Sequence, residues 1–307
     1  MKQGVGHANA KIILMGEHAV VYDAYAIAIP FLTTIMVVTL TKGENTIKSE
    51  LYQGNLDQAP KLLAGFVELF ETLKAKHQDT HTYHVEIQSE IPMQRGMGSS
   101  AALSNALIDA YYAYHHQTIS FAEKFELSMI AETINHGRPS GIDSLTTMST
   151  LPVYFKKGPH YEHIAMACDG YLVVVDSGIQ GETLEAVQHV ANQMHLETTQ
   201  AAIATLDALS QQAKVALTHN DLTGLGRYMN QAHALLDTLG VSHPIVNEMV
   251  QHALSKGALG AKMSGGGRGG VMISVFKEQD QVERFITFMK TRGYHKAWVM
   301  NLREAFQ

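Results

Sequence analysis

Cysteine is almost absent from this sequence: Cys168 is the only one in 307 residues, so no internal disulfide can form. Such a composition is typical of a reducing compartment. No apolar run approaches the ~20 residues of a membrane span, and the segment MKQGVGHANAKIILMGEH is too interrupted by polar residues for a signal peptide. Long runs of one charge sign are also missing, and the net charge is −6. These absences predict a cytoplasmic protein with no nucleic-acid and no membrane partner.

Two common site signatures are missing as well. The 17 histidines suggest a metal site, but HExxH does not occur. Neither histidine cluster has a second ligand group at zinc spacing, so we expect most histidines to lie on the surface. The clusters are His77, His81 and His84, and the adjacent pair His115 and His116. Gly-Lys-Ser/Thr does not occur either, which excludes a nucleotide site of the usual P-loop type.

The length and the composition predict two domains. At about 150 residues per domain, a chain of this size has two, and 46% hydrophobic residues can fill their cores. The composition becomes polar and turn-rich near residues 155–170, just before the strand-like GYLVVVDSG. We therefore expect domains at 1–165 and 166–307. Strand and helix patterns are mixed without regular βαβ alternation, which predicts the α+β class.

Residues 83–114 predict a strand, a glycine loop and a helix in succession. Alternation in TYHVEIQSEIP places Tyr83, Val85 and Ile87 on one face of a half-buried strand. Apolar residues after the loop recur every three or four positions, as on one face of a helix. They are Leu103, Ala106, Leu107, Ala110, Tyr111 and Tyr114. A second helix is predicted from Ser120, with Glu123 completing a capping box, to the stop signals Gly137 and Pro139.

The loop IPMQRGMGSSAAL, residues 91–103, has the glycine spacing of a dinucleotide-binding turn. That interpretation fails because two helices follow without an intervening strand. A second match, at Gly265, Gly267 and Gly270, fails because a strand follows it. A phosphate site remains possible, since glycines let N–H groups approach an anion and a helix N-terminus is positive. The alternative is that Ser99 and Ser100 only cap the helix.

Two carboxylates further along fit a phosphate site. Glu132 falls near the negative end of the second predicted helix, where a cation such as Mg²⁺ would stabilise it. Asp143 follows a proline–glycine turn, from which its carboxylate could cap a helix or project into a cleft. Each also has an ordinary alternative, a solvated surface glutamate and a simple capping aspartate.

Three motifs together resemble the GHMP kinases, a superfamily of small-molecule kinases. They are AKIILMGEHAVVYDAYAIAIP, IPMQRGMGSSAALSNAL and AKMSGGGRGGVMISV, in the family's order. Within the superfamily, GEHAVV and AETINHGRPSGIDSLTT are similar to the mevalonate kinase family, including the eleven positions between Glu132 and Asp143. The resemblance implies an N-terminal ribosomal-protein-like domain that binds ATP, a C-terminal ferredoxin-like domain, and an active site in the cleft between them.

The resemblance also implies a reaction and a role for each matching residue. The reaction is phosphorylation of (R)-mevalonate by ATP with Mg²⁺, a step of isoprenoid biosynthesis. Asp143 and Lys11 match the catalytic pair, Glu17 and His18 match residues of the mevalonate pocket, and Ser100 and Glu132 match the Mg²⁺ ligands. The residues matching the ATP site are Pro92, Arg95, Gly96, Met97, Gly98, Ser99, Ser100, Ala101, Ser264, Gly265, Gly266 and Gly267. A homodimer is also expected from the family.

Two departures and three alternatives qualify this prediction. Ala10 and Arg268 stand where the family often has glycine, and Arg268 could place a positive charge near the phosphates. A phosphomevalonate kinase would need more cationic residues for its substrate, and the first motif argues against it. The first motif and the Glu132–Asp143 segment also disfavour a diphosphomevalonate decarboxylase. A catalytically silent nucleotide-binding regulator could have lost Lys11 or Asp143, yet both are present.

Overall fold

The computed structural model describes residues 2–137, 139–158 and 160–306 and contains two compact units. The first unit combines the chain up to Ala10 with Thr34–Met93 and Gly98–Met148. The second combines Lys11–Thr33, Gln94–Met97 and the chain from Ser149 onward. Neither unit is continuous in sequence, and the proposed boundary between residues 165 and 166 stays a prediction.

Two long strands, β1 (Gln3–Met15) and β2 (Ala26–Lys42), pair with each other and contribute residues to both units. In the first unit, the end of β2 pairs antiparallel with β5, and β5 pairs parallel with β3. The short strands there are β3 (Thr46–Lys48), β4 (Gln53–Asn55) and β5 (Tyr83–Ser89). Strand β5 alternates between buried and partly exposed residues, which confirms the predicted half-buried strand.

Four helices complete the first unit. They are α1 (Ala64–Lys76), α2 (Ser99–Tyr114), α3 (Phe121–His136) and α4 (Ile142–Thr147). The prediction that α2 buries a single face was too narrow. Ala102, Ser104, Asn105 and Ile108 are buried in addition to the predicted face, because α2 packs against α1, α3 and α4. A helix that packs against three others buries more than its apolar stripe, so the stripe alone understates its burial, although Ala113 stays exposed.

The predicted ends of α3 are confirmed with one correction. The Ser120 side chain accepts the Glu123 N–H at 3.2 Å, and Gly137 closes the helix with φ 72°. The predicted capping box also needs the Glu123 carboxylate to accept from the Ser120 N–H, and the described contacts of Glu123 do not include this bond. The carboxylate accepts instead from the Tyr112 hydroxyl at 3.0 Å and from the Lys76 ammonium.

The second unit is built on a four-stranded antiparallel sheet in the order β11-β8-β10-β9. The strands are β8 (Tyr171–Asp176), β9 (Gly260–Ser264), β10 (Val271–Phe276) and β11 (Ala297–Asn301). Every residue of β9 and β10 is buried, so both faces of this sheet are covered. The start of β2 pairs with β6 (Val153–Phe155), and β6 pairs with β7 (Tyr161–His163).

Six helices belong to the second unit. They are α5 (Thr183–Gln193), α6 (Glu197–Thr218), α7 (Leu222–Thr238), α8 (Pro244–Ser255), α9 (Gln279–Thr291) and α10 (Leu302–Ala305). Helices α7 and α8 pack on β9, and α9 packs on β8 and β10. The predicted α+β class is confirmed. In the part of the chain that the structure describes, no helix has the length and apolar character needed to cross a membrane.

Candidate active site

Three loops of the second unit are joined by backbone hydrogen bonds around the two glycine motifs. The Gly181 N–H donates to the Gln94 carbonyl at 3.0 Å, and the Glu182 N–H donates to the Gly267 carbonyl at 3.2 Å. The Gly270 N–H donates to the Ile179 carbonyl at 2.8 Å. The structure therefore brings the start of the second motif and the whole glycine loop of the third motif together.

Gly96 and Gly265 lie close to each other, one in each motif. A Cβ on Gly96 would lie 3.1 Å from the Ser264 carbonyl oxygen, and one on Gly265 would lie 2.9 Å from the Gly96 Cα. Both residues also have positive φ, 81° and 90°. No side chain fits such an approach, so these glycines are required for packing the two loops.

Arg95 lies in the first of these loops and is engaged by protein groups. Its Nε donates to Asp176 Oδ1 at 2.9 Å, and a terminal nitrogen donates to the Gly178 carbonyl at 3.3 Å. Asp176 is buried, so this ion pair is shielded from solvent. Arg95 thereby holds its loop on the end of β8, and its place in the ATP site stays a prediction. Pro92 lies half-buried in the turn after β5.

Lys11, Glu17 and His18 are all buried in the second unit. The Lys11 N–H donates to the carbonyl of Met97 at 3.0 Å, which ties β1 to the loop after Arg95. The Ser264 hydroxyl donates to the Ile13 carbonyl at 2.8 Å, tying the same strand to the third motif. The first, second and third motifs thus meet here through main-chain contacts that position these side chains.

His18 is held as a neutral imidazole. Burial lowers its pKa to about 4, and its Nε2 lies 2.9 Å from the Gly266 carbonyl oxygen. Because a carbonyl only accepts, Nε2 carries the proton and Nδ1 is left as an acceptor. The backbone at His18 has φ 60°, an uncommon conformation for a residue with a side chain. Such local strain is often found at functional positions.

Glu17 forms a buried ion pair with Lys262 of β9, a residue the sequence analysis did not single out. The Lys262 ammonium donates to Glu17 Oε1 and, at 2.7 Å, to the Met263 carbonyl. Burial raises the pKa of Glu17, and Lys262 only partly offsets this rise. The two residues are 245 positions apart, so no local pattern could have revealed the pair. Arg268, in the adjoining loop, lies 4.0 Å from Glu182.

In the first unit, Gly98 and the start of α2 belong to the segment for which the sequence predicts a phosphate site. Gly98 is the N-cap in the left-handed conformation, with φ 75°, and the helix begins at Ser99. Neither serine is the N-cap, which argues against the simple capping alternative. The first intrahelical bond joins the Ala102 N–H to the Gly98 carbonyl at 2.9 Å. The N–H groups of Ser99, Ser100 and Ala101 precede it and point out of the helix N-terminus.

Ser100 and Glu132 are in direct contact. The Ser100 hydroxyl donates to Glu132 Oε1 at 2.7 Å and lies 2.6 Å from the Asn135 amide nitrogen. Glu132 is buried, and its Oε2 lies 3.8 Å from His136 Nε2. A buried carboxylate beside a hydroxyl offers the hard oxygen ligands that Mg²⁺ prefers. The residues therefore fit a Mg²⁺ site, in agreement with the cation expected beside Glu132 from its position in the helix.

Asp143 is half-buried in the first turn of the short helix α4, whose N-cap is Gly141. Asp143 is therefore not the cap residue. The helix is fixed by Asn105 of α2, whose amide donates to the Ser144 carbonyl at 2.9 Å and to the Thr147 hydroxyl at 2.8 Å. The Thr147 hydroxyl in turn donates to the Asp143 carbonyl at 2.9 Å. The sequence analysis missed Asn105 because it considered only the apolar positions of α2, and Asn105 is polar.

One histidine from each cluster contacts the Asp79 carboxylate in the first unit. His81 Nδ1 and His115 Nε2 lie 2.6 and 3.1 Å from the Asp79 carboxylate, which also accepts from Tyr83 and Tyr111. Burial alone would raise the pKa of Asp79, but its hydrogen-bond donors outweigh burial and hold it well below its usual range. Within residues 2–137, 139–158 and 160–306, no three His, Cys, Asp or Glu side chains are grouped to hold a metal.

Comparison with known proteins assigns the chain to a family. Residues 62–149 match the GHMP kinases N terminal domain, and residues 213–295 match the GHMP kinases C terminal domain. A mevalonate kinase of Aeropyrum pernix is 30% identical over 90% of this chain and 89% of its own length.

Solved structures agree with this assignment. The mevalonate kinase of Staphylococcus aureus MRSA252 has a TM-score of 0.75 and 28% identity, covering 98% of this chain and 99% of that one. The mevalonate kinase of L. major, solved in complex with R-mevalonate, shares the fold with a TM-score of 0.82 at 23% identity, covering 98% and 96%. The chain therefore belongs to the GHMP kinases and, among them, to the mevalonate kinases.

Proposed function

We propose that this chain transfers the γ-phosphoryl group of ATP to the primary hydroxyl of (R)-mevalonate, giving 5-phosphomevalonate in isoprenoid biosynthesis. The observation that carries the proposal is the contact between half-buried Ser100 and buried Glu132 at the glycine-capped start of α2. A helix N-terminus attracts phosphate, and an adjacent buried carboxylate attracts its counter-cation. The choice of mevalonate is supported by relatives named mevalonate kinase, whose similarity extends over about nine tenths of this chain.

The proposed chemistry is positioning plus charge stabilisation. Asp143 accepts the proton of the substrate hydroxyl as that oxygen attacks phosphorus. Lys11 offsets negative charge on the transferred phosphoryl group. Ser100 and Glu132 would hold Mg²⁺, which supplies neutralisation of phosphate charge when bound. The N–H groups of Ser99, Ser100 and Ala101 supply fixed positive ends toward the phosphates.

The substrate pocket is proposed to include Glu17 and His18. Because His18 is neutral and donates through Nε2 to Gly266, it fixes the glycine loop and leaves Nδ1 as an acceptor. Gly96, Met97, Gly98 and the loop Ser264–Gly267 are proposed to border the nucleotide. The Arg95 side chain, engaged by Asp176, acts in this proposal through the loop it holds. A cytoplasmic location, supported by one buried free cysteine, and a homodimer belong to the same proposal.

An ADP-release assay with a panel of alcohols tests the proposed function. The panel is (R)-mevalonate, 5-phosphomevalonate, homoserine and galactose, each with MgATP. We expect turnover with (R)-mevalonate to exceed turnover with every other alcohol by at least about 100-fold in kcat/KM, as expected of a site that hydrogen-bonds its substrate. Preferred turnover of 5-phosphomevalonate, or ATP binding without turnover of any alcohol, would overturn the proposal.

A further inference from the structure

Lys262 is an unusual residue because its ammonium group is completely enclosed. Its side chain is 0% exposed and that of Glu17 is 1% exposed. Lysine is almost never fully buried unless it is paired, and here the partner is Glu17. Replacing such a buried pair with apolar residues is often neutral or stabilising, so the pair is weak evidence for a stabilising role. A functional role accounts for it better.

Among the described residues, hydrogen-bond donors reach only one of the two oxygens of the Glu17 carboxylate. Oε1 accepts from Lys262, whereas Oε2 is buried and has no hydrogen-bond partner among the residues the structure describes. A buried carboxylate oxygen without a donor is unfavourable, and native structures rarely leave one. Glu17 itself is 3% exposed. The unpartnered oxygen can therefore accept a hydrogen bond from a donor outside the described residues.

The charge around Glu17 restricts that donor. Lys262 balances the carboxylate and Lys11 adds a further positive charge near it, so another cation is not required. An anionic group would offer the carboxylate no hydrogen-bond donor. Neutral His18, with Nδ1 as an acceptor, adds no positive charge next to it. A hydroxyl group meets these conditions, since it is neutral and donates.

We propose that Lys262 is a positioning residue that sets substrate specificity: it occupies Glu17 Oε1, so that Oε2 accepts a hydrogen bond from the substrate hydroxyl that is not phosphorylated. This inference rests on the proposed function, because mevalonate carries a tertiary hydroxyl besides the primary one that reacts. Without Lys262, the Glu17 carboxyl is free to rotate or to take up a proton. Oε2 then no longer favours a substrate that carries the tertiary hydroxyl over one that lacks it.

The test compares (R)-mevalonate with 5-hydroxy-3-methylpentanoate, which lacks only the tertiary hydroxyl. Wild-type enzyme should prefer mevalonate by at least about tenfold in kcat/KM, because the deoxy analogue leaves Oε2 unpaired. Lys262→Met should lower kcat/KM for mevalonate by at least about tenfold and reduce the preference to within about threefold. ADP binding, measured by calorimetry, should stay within about twofold of wild type.

Two further variants keep the test decisive. Ser274→Ala removes another buried polar group from the same sheet, on the strand next to Lys262, and should behave as wild type. If Lys262→Met does not fold, the double variant Glu17→Gln/Lys262→Met removes both charges together, and it should also lose the preference. Wild-type turnover of mevalonate with no preference over the deoxy analogue would overturn this inference and leave the proposed function standing. The same holds for a folded Lys262→Met that keeps the preference. Absence of mevalonate turnover in wild type would overturn both.

Discussion

At the scale of single residues, Glu132 is the carboxylate proposed to hold Mg²⁺. Its carboxylate is buried and accepts from Ser100 at 2.7 Å. We predict that Glu132→Gln lowers kcat and raises the Mg²⁺ concentration for half-maximal activity at least about tenfold, because an amide is a weaker ligand than a carboxylate. A Mg²⁺ titration of activity measures this. Glu126→Gln, an exposed change on the same helix, is the control. A titration curve that overlays wild type would remove Glu132 from the site.

Two buried histidines predict how stability depends on pH. Burial lowers the pKa of both His18 and His233 from 6.5 to about 4. Between these values the unfolded chain binds protons that the folded protein does not, so the free energy of unfolding falls as pH drops from 6.5 toward 4. Each group contributes a slope of at most about 1.4 kcal/mol per pH unit.

His233 tests this slope without altering the proposed pocket. His233→Gln removes one titrating group, and the Met263 N–H donates to the His233 ring in wild type, at 3.4 Å. We predict a shallower loss of stability between pH 6.5 and about 4 in the variant, measured by urea unfolding at several pH values. Parallel curves for variant and wild type would show that His233 titrates normally.

At the scale of elements, helix α4 depends on its neighbours. It has six residues, too few for stability on its own, and Asn105 holds it through Ser144 and Thr147. We predict that Asn105→Leu lowers kcat by about 10- to 100-fold with little change in the KM for ATP, because displacement of Asp143 affects the reacting geometry. Steady-state kinetics and thermal unfolding measure this.

Ser210→Ala is the control for the Asn105 variant. It removes a buried hydroxyl that bonds within α6 at 2.9 Å, so it tests whether loss of any buried polar group lowers kcat. If both variants lose stability but only Asn105→Leu loses kcat, α4 positioning is supported. Equal kcat values for Asn105→Leu and wild type would contradict it.

The loop of the third motif carries one residue with a positive charge and a positive φ. Arg268 has φ 55°, and its guanidinium is 29% exposed beside Glu182. We predict that Arg268→Gly raises the KM for ATP and makes it less sensitive to salt, because a charge near the phosphates is lost. Arg284→Gln, an exposed arginine on α9, controls for net charge. An unchanged KM across an ionic-strength series would place Arg268 outside the nucleotide site.

At the scale of the whole molecule, local sequence patterns predicted the secondary-structure elements better than they predicted the contacts between them. Alternation predicted β5 and Gly137 predicted the end of α3, because both signals lie within a few residues. The burial of α2 beyond its apolar face was underestimated, since three neighbouring helices decide it. The Glu17–Lys262 pair could not be predicted, because it joins residues from opposite ends of the chain. A cation site at Glu132 was predicted from its position in the helix, whereas its pairing with Ser100 was predicted only through the resemblance to known kinases.

The central claim, that this chain is a phosphotransferase acting on an alcohol through Asp143, is tested most directly by Asp143→Asn. The change keeps the side-chain shape and removes the basic site. We predict that kcat falls by about 10²- to 10⁴-fold. ADP binding and thermal unfolding should stay at wild-type values, because Asp143 is not the cap of α4 and Ser100 and Glu132 are untouched. A folded Asp143→Asn enzyme with kcat within about threefold of wild type would contradict the claim.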